Sequence, residues 1–131
     1  MIPPHAVSGV PRIILRAEGA AIFGFALLLY AIKGDSWWLM LALFLAPDVS
    51  FLAYLGGPRT GSIGYNLAHT LVAPCLLGAA GLHWPAPHLL GLALIWAAHI
   101  GFDRFLGYGL KYGEGFGYTH LGRVGRLSGQ T

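Results

Sequence analysis

Apolar residues run in four long blocks along the chain, separated by short clusters of Gly, Pro and charged residues. The blocks cover residues 13–32, 37–55, 62–82 and 88–106. Each matches the roughly 17–25 apolar residues that one helix needs to cross a bilayer. The breaks Lys33-Gly34-Asp35-Ser36, Gly56-Gly57-Pro58-Arg59-Thr60-Gly61 and His83-Trp84-Pro85-Ala86-Pro87 carry turn chemistry, with Ser36 placed as a helix cap. Within the blocks apolar and polar residues do not alternate, as barrel strands require. Every backbone polar group in hydrocarbon must be satisfied within its own segment, which leaves helices. The pattern therefore predicts an all-α, four-helix transmembrane bundle with short loops, one integral membrane domain over residues 1–131, and a Gly-rich tail after Leu106 read as a surface loop. Pro47 and Pro74 are expected to bend their spans locally. Short connections are expected to make consecutive helices antiparallel neighbours.

Composition agrees: 56% of residues are hydrophobic and 10% charged, against roughly a quarter charged in soluble domains. The net charge of +3 does not point to nucleic acid, because the basic residues lie at segment ends and form no stripe. With four spans, Arg12, Arg16, Arg59, Lys111, Arg123 and Arg126 share one side, with Arg104 close to it, and Lys33 stands on the other. The positive-inside rule makes the crowded side, with both termini, cytoplasmic. Tyr30, Trp37, Trp38 and Trp84 would mark the outer interface, and Tyr54, Tyr65 and Tyr108 the inner one. No small-x-small site follows the first block, so it is read as a retained span, with Met1–His5 a loose end or amphipathic entry. The single Cys75 implies no disulfide framework.

An ionisable side chain inside a span is costly and is a functional candidate for that reason. Asp48, His69, His99 and Asp103 qualify, with Glu18, Asn66 and Arg104 beside them. By helical rise Asp48 and His69 lie about 10 Å from the inner end of their spans. His99 matches that depth, while the outer halves carry no ionisable residue. His99 and Asp103 stand four apart and share a face, as do Asn66 and His69 three apart. Two His and two Asp from three helices suit zinc or manganese, and a water on such an ion can become a hydrolytic nucleophile. The same residues can instead form an ion-paired polar core that fixes helix register. His5, His83 and His88 read as solvated; His120 can fold back with the tail as a further ligand. Arg104 with Asp103, and Arg16 with Glu18, can be interfacial charge pairs. The Gly-rich runs of the tail have neither the preceding strand nor the following helix of a phosphate loop.

Pro47-Asp48, Tyr65-Asn66-Leu67-Ala68-His69-Thr70, the run from Ala98 to Lys111, and Thr119-His120-Leu121-Gly122 together resemble a family of small bacterial integral membrane proteins, domain of unknown function 4260. The resemblance extends from Ile13 to Val124 and implies a bacterial inner-membrane location but no activity. The order Pro-Asp, His-Thr, His-x-x-x-Asp is also similar to the LexA-regulated membrane-bound metal-dependent hydrolases. That resemblance implies that Asp48, His69, His99 and Asp103 are ligands or catalytic groups. The chain departs from it at Ser50, where a second Asp would stand, and lacks the Arg that precedes the His-Ser motif; His120 or Glu18 would have to compensate.

The expected function is metal-dependent hydrolysis of a lipid-like substrate, with Asn66, Arg104 and Lys111 on the substrate and the last two holding an anionic headgroup. The alternatives are a b-type haem held by His69 and His99, an ion or proton path, and a structural subunit in a homo-oligomer or on a larger membrane partner. The topology is directly testable. Reporter fusions after Ser36 and after Ala86 should score as external and a fusion after Thr60 as internal; the reverse pattern would refute the orientation.

Overall fold

The computed structural model describes residues 5–124. Met1–Pro4 and Arg126, which entered the reading of the N-terminal stretch and of orientation, lie outside the described residues. Four helical segments long and apolar enough to cross a membrane run over Gly9–Lys33, Trp37–Gly56, Pro58–His83 and Pro87–Leu106, and the chain is a multi-pass membrane protein. The first span is the single helix α1, Gly9–Lys33. The second is α2, Trp37–Leu43, followed by a 3-10 segment over Ala46–Gly56. The third is split into α3, Pro58–His69, and α4, Val72–His83. The fourth is α5, Pro87–Leu106. Prolines at the start of the 3-10 segment, α3 and α5 use positions whose N–H has no helical partner.

The interruptions go further than the local bends expected at Pro47 and Pro74, and each follows from a missing N–H. Pro47 cannot donate back to Phe44, and the next amide, Asp48 N–H, bonds the Leu45 carbonyl at 3.0 Å, a three-residue step. A 3-10 helix brings residues three apart into line, so Asp48, Phe51 and Tyr54 share one face. In the third span Pro74 cannot donate to Thr70; Thr70 is extended (φ −87°, ψ 141°), and the helix restarts at Val72.

Packing keeps the expected neighbours for the second and third spans and for the third and fourth, and adds a pair that chain order does not suggest. The most extensive contact joins the first and last spans, α1 and α5; α4 also packs on α5, and α3 on the 3-10 segment. α5 is accordingly the most buried span. α1 and α5 meet at two glycines. A Cβ on Gly19 would lie 2.8 Å from the Gly101 carbonyl, and one on Gly101 would lie 2.7 Å from the Phe23 amide. Small residues at such a crossing let two backbones touch, a main source of helix attraction in lipid. Ala26, Tyr30, Met40, Ile95 and Ala98 form the apolar core beyond it.

The tail is not the surface loop expected. It turns back over the end of the bundle that carries the N-terminal segment, forms the small hairpin β1 (Tyr118–Thr119) and β2 (Gly122–Arg123), and buries Lys111, Thr119 and Leu121. Gly109 and Gly117 permit this, since a Cβ on either would strike the His120 ring or the Val124 carbonyl. The N-terminal segment ties the fold-back down. Val7 N–H donates to the His120 carbonyl at 2.8 Å, the Tyr112 hydroxyl to the His5 carbonyl at 2.9 Å, and Arg12 Nε to the Leu121 carbonyl.

Gly101→Val should therefore lower stability in detergent by about 1–3 kcal/mol through overpacking. Gly24→Ala on the same α1, where a Cβ meets nothing within 4 Å, should leave it unchanged. Thermal unfolding of the two variants checks this, and equal midpoints would refute the crossing as the tight point.

Candidate metal centre

Breaking the third span exposes carbonyls that a continuous helix would have used. Ala68 and His69 lose the amides four residues on, and in hydrocarbon no water replaces them. α5 supplies both donors. Trp96 Nε1 donates to the Ala68 carbonyl at 2.6 Å, and Arg104 Nη2 to the His69 carbonyl at 3.0 Å. His69, the last residue of α3, is thereby anchored to the helix that carries His99 and Asp103.

The four intramembrane candidates converge. His69 Nε2 lies 3.3 Å from Asp48 Oδ1, 3.4 Å from Asp103 Oδ2 and 3.2 Å from His99 Nε2. His99 Nε2 lies 3.1 Å from Asp48 Oδ1 and 3.2 Å from Asp103 Oδ2. All four donor atoms fall within 4.8 Å of one another. Both imidazoles are buried, and the carboxylates are partly exposed, Asp48 the more so.

For His69 the second nitrogen fixes what the first presents. His69 Nδ1 is 2.8 Å from the Tyr65 carbonyl, which can only accept, so Nδ1 carries the proton and Nε2 of the neutral ring offers a lone pair. His99 Nδ1 is buried without a well-formed partner, and the Phe44 carbonyl lies beside it. That is the carbonyl that Pro47 leaves without a backbone donor. Tyr65 stacks on His69 with centroids 3.7 Å apart, and Phe44 meets His99 edge-on at 5.5 Å. The rings are thus held by packing and by their outer nitrogens, while both Nε2 atoms and two carboxylate oxygens face one point. Such a donor set can hold one divalent cation.

A cavity of about 310 Å³ opens on the carboxylate side, walled by Asp48, Phe51, Tyr65, Asp103, Tyr108, Lys111, Phe116 and Val124. The side chains expected to bind substrate separate here. Asn66 uses both ends of its amide on the Lys111 backbone, donating to the carbonyl at 2.8 Å and accepting from the N–H at 2.7 Å. Arg104 caps His69 and faces His120 Nε2 at 3.2 Å. Of the three, Lys111 is the one that lines the cavity.

His120, the further ligand considered, points its other nitrogen at the Leu110 N–H, 2.9 Å away, and stands outside the four-donor group. Burial, then the nearby Arg104 charge, push its pKa down. Glu18 is exposed on α1, away from the cluster, and His5, His83 and His88 are exposed. Trp96 and Phe44 were not singled out from the sequence; the signal for both lay in Pro47 and Pro74, each of which interrupts its span and so leaves carbonyls nearby for something else to bond.

Fold and site together define a multi-pass membrane protein with a His/Asp cluster buried between its helices. The family described as domain of unknown function (DUF4260) matches residues 12–124, and the chain belongs to it. No curated protein and no solved structure matches the chain.

The capping role of Arg104 has a measurable consequence. Arg104→Met should cost about 1–3 kcal/mol, the penalty for a buried carbonyl left unpaired. Arg16→Met, which removes an exposed bond to the Phe105 carbonyl at 2.9 Å, should cost well under half of that. Unfolding of both variants in detergent compares them, and equal losses would refute the assignment.

Proposed function

We propose that this chain is a metal-dependent hydrolase of the bacterial inner membrane, with zinc or manganese held by Asp48, His69, His99 and Asp103 near the cytoplasmic face. One observation carries the reading. Five separations among the four donor atoms lie between 3.1 and 3.4 Å. Each imidazole Nε2 thus stands from the other three donor atoms at about the separation that neighbouring ligands keep around a tetrahedral zinc bound at roughly 2.0 Å.

Hydrogen bonding alone satisfies this arrangement poorly. Each contact would need a proton between its atoms, the carboxylates carry none when ionised, and the outer hydrogen bond of His69 leaves its inner nitrogen bare. A proton on His99 Nε2 would serve one of the three acceptors around it, Asp48, Asp103 and the bare His69 Nε2, and leave the others facing one another unpaired. A cation at the centre turns every one of these contacts favourable and offsets two carboxylates that would each cost several kcal/mol in a low-dielectric interior. A haem between the two histidines fits badly, because both carboxylates stand within 3.4 Å of the nitrogens that would be axial ligands.

Hydrolysis is the chemistry that the surroundings favour. A bound divalent ion supplies an acidified water, and the cavity beside Asp48 and Asp103 gives that side of the centre an approach. The Asp48, His69-Thr70 and His99-x-x-x-Asp103 order, similar to metal-dependent membrane hydrolases, supports the same reading.

Elemental analysis after purification without chelator should give about one zinc or manganese per chain. His99→Ala should lose it, and so should Asp103→Asn, whose amide hydrogen-bonds but ligates poorly. Metal-loaded wild type should cleave at least one member of a panel of fluorogenic phosphate and carboxylate esters, and chelation should stop it. Wild type that stays below stoichiometry with added zinc or manganese would sink the metal site. Full loading without turnover of any ester would sink the hydrolase.

A further inference from the structure

Lys111 is 5% exposed, yet among the described residues no carboxylate lies in ion-pair range of its ammonium and no hydrogen bond from Nζ is formed. Its neighbours are aromatic faces. Nζ stands 3.9 Å from the Phe116 ring centroid and 5.0 Å from that of Tyr65, the ring that stacks on His69. Cation–π contacts hold an ammonium in place without neutralising it. The backbone is fixed as well, by the two Asn66 hydrogen bonds and by a bridge to Thr119. A buried charge is normally paired; this one lines the same cavity as Asp48 and Asp103.

We propose that Lys111 is the specificity-determining residue of the site and that the substrate is a phosphate ester, its phosphoryl oxygens shared between the metal centre and the Lys111 ammonium. The inference rests on the metal reading above. With a divalent cation balancing the two carboxylates, the cavity keeps one net positive charge, from Lys111. A phosphate monoester brings roughly −1.5 to −2 charges and three acceptor oxygens, enough to serve the cation and the ammonium at once. A substrate carboxylate brings one charge and would compete with the protein's own Asp ligands. Lysine binds phosphate as a point charge, and neutralising charge on the transferred group is the main demand of phosphoryl chemistry. Hydrolysis of such an ester joins a water oxygen to phosphorus, breaks the bond from phosphorus to the alcohol oxygen, and transfers one water proton to that oxygen. Water is the sole co-reactant.

Burial pushes the Lys111 pKa down to about 8, which leaves the ammonium predominantly protonated at neutral pH.

The test uses zinc-loaded full-length protein in detergent, with inorganic phosphate as the probe in calorimetric titration. Wild type should bind phosphate; Lys111→Met should bind it at least tenfold more weakly, and Lys111→Arg should recover part of the loss. Metal content should be the same in all three. The Lys111→Met thermal midpoint should not fall, since it removes an unpaired buried charge, whereas a structural lysine would lower it. Nanodiscs containing phosphatidic acid, compared with phosphatidylcholine alone, separate the two sources of the group. Competition by phosphatidic acid assigns a lipid headgroup, and binding of inorganic phosphate without such competition assigns a water-soluble ester; either supports the proposal. Metal-loaded wild type that binds phosphate no better than Lys111→Met overturns this inference alone. Metal-free wild type overturns the metal reading and this inference with it.

Discussion

A carbonyl released from a helix inside a bilayer finds no water to bond, and this chain releases carbonyls at two prolines. The break before Pro74 frees those of Ala68 and His69, and Trp96 and Arg104 reach across from α5 to take them. Pro47 frees that of Phe44, which lies beside His99. The rest of the site is built on these repairs. The break at Thr70 ends α3 at His69 and lets the ring turn toward α5, and the repair locks the break in place. Polar groups that hydrocarbon would punish are brought together by the need to satisfy one another.

The 3-10 winding of the second span is the complementary device. In an α-helix, residues three apart drift around the axis; in a 3-10 helix they stack in a column. That column brings Asp48 to the histidines, Phe51 to within 5.3 Å of the Tyr65 ring and Tyr54 to within 5.3 Å of the Phe116 ring. One face thus serves the centre, the cavity wall and the tail in turn. Gly61 and Gly64 on α3 accept the column closely, since a Cβ on either would run into Tyr54 or Ala53.

How much of this was legible in the sequence follows from what each feature depends on. The four spans were, because hydrophobic length is nearly one-dimensional information. The meeting of Asp48, His69, His99 and Asp103 was expected from depth and helical spacing, which two numbers per residue describe. The partners of Asn66 and Arg104 were not. Both carry groups that suit a substrate, and only the three-dimensional course of the tail and the break in the third span show those groups occupied by backbone. The pairing of the first span with the last was equally hidden. Gly19 and Gly101 look like ordinary small residues until the crossing puts them face to face. The tail misled for a related reason, since glycine and polar residues read as loop whether a segment floats or is folded over a cavity.

The seal formed by the tail also has a history. Lys111, Phe116 and Val124 lie after the last span, and the bonds that hold the fold-back join Val7 to His120 and Arg12 to Leu121. Such contacts close only when the ribosome has delivered the last span and the residues beyond it, long after the first helix has entered the membrane. Until then Asp48 and His69 await His99 and Asp103, and the chamber above them has no roof. During its own synthesis the protein therefore passes through a stage in which the four side chains can meet before the fold-back has closed over them.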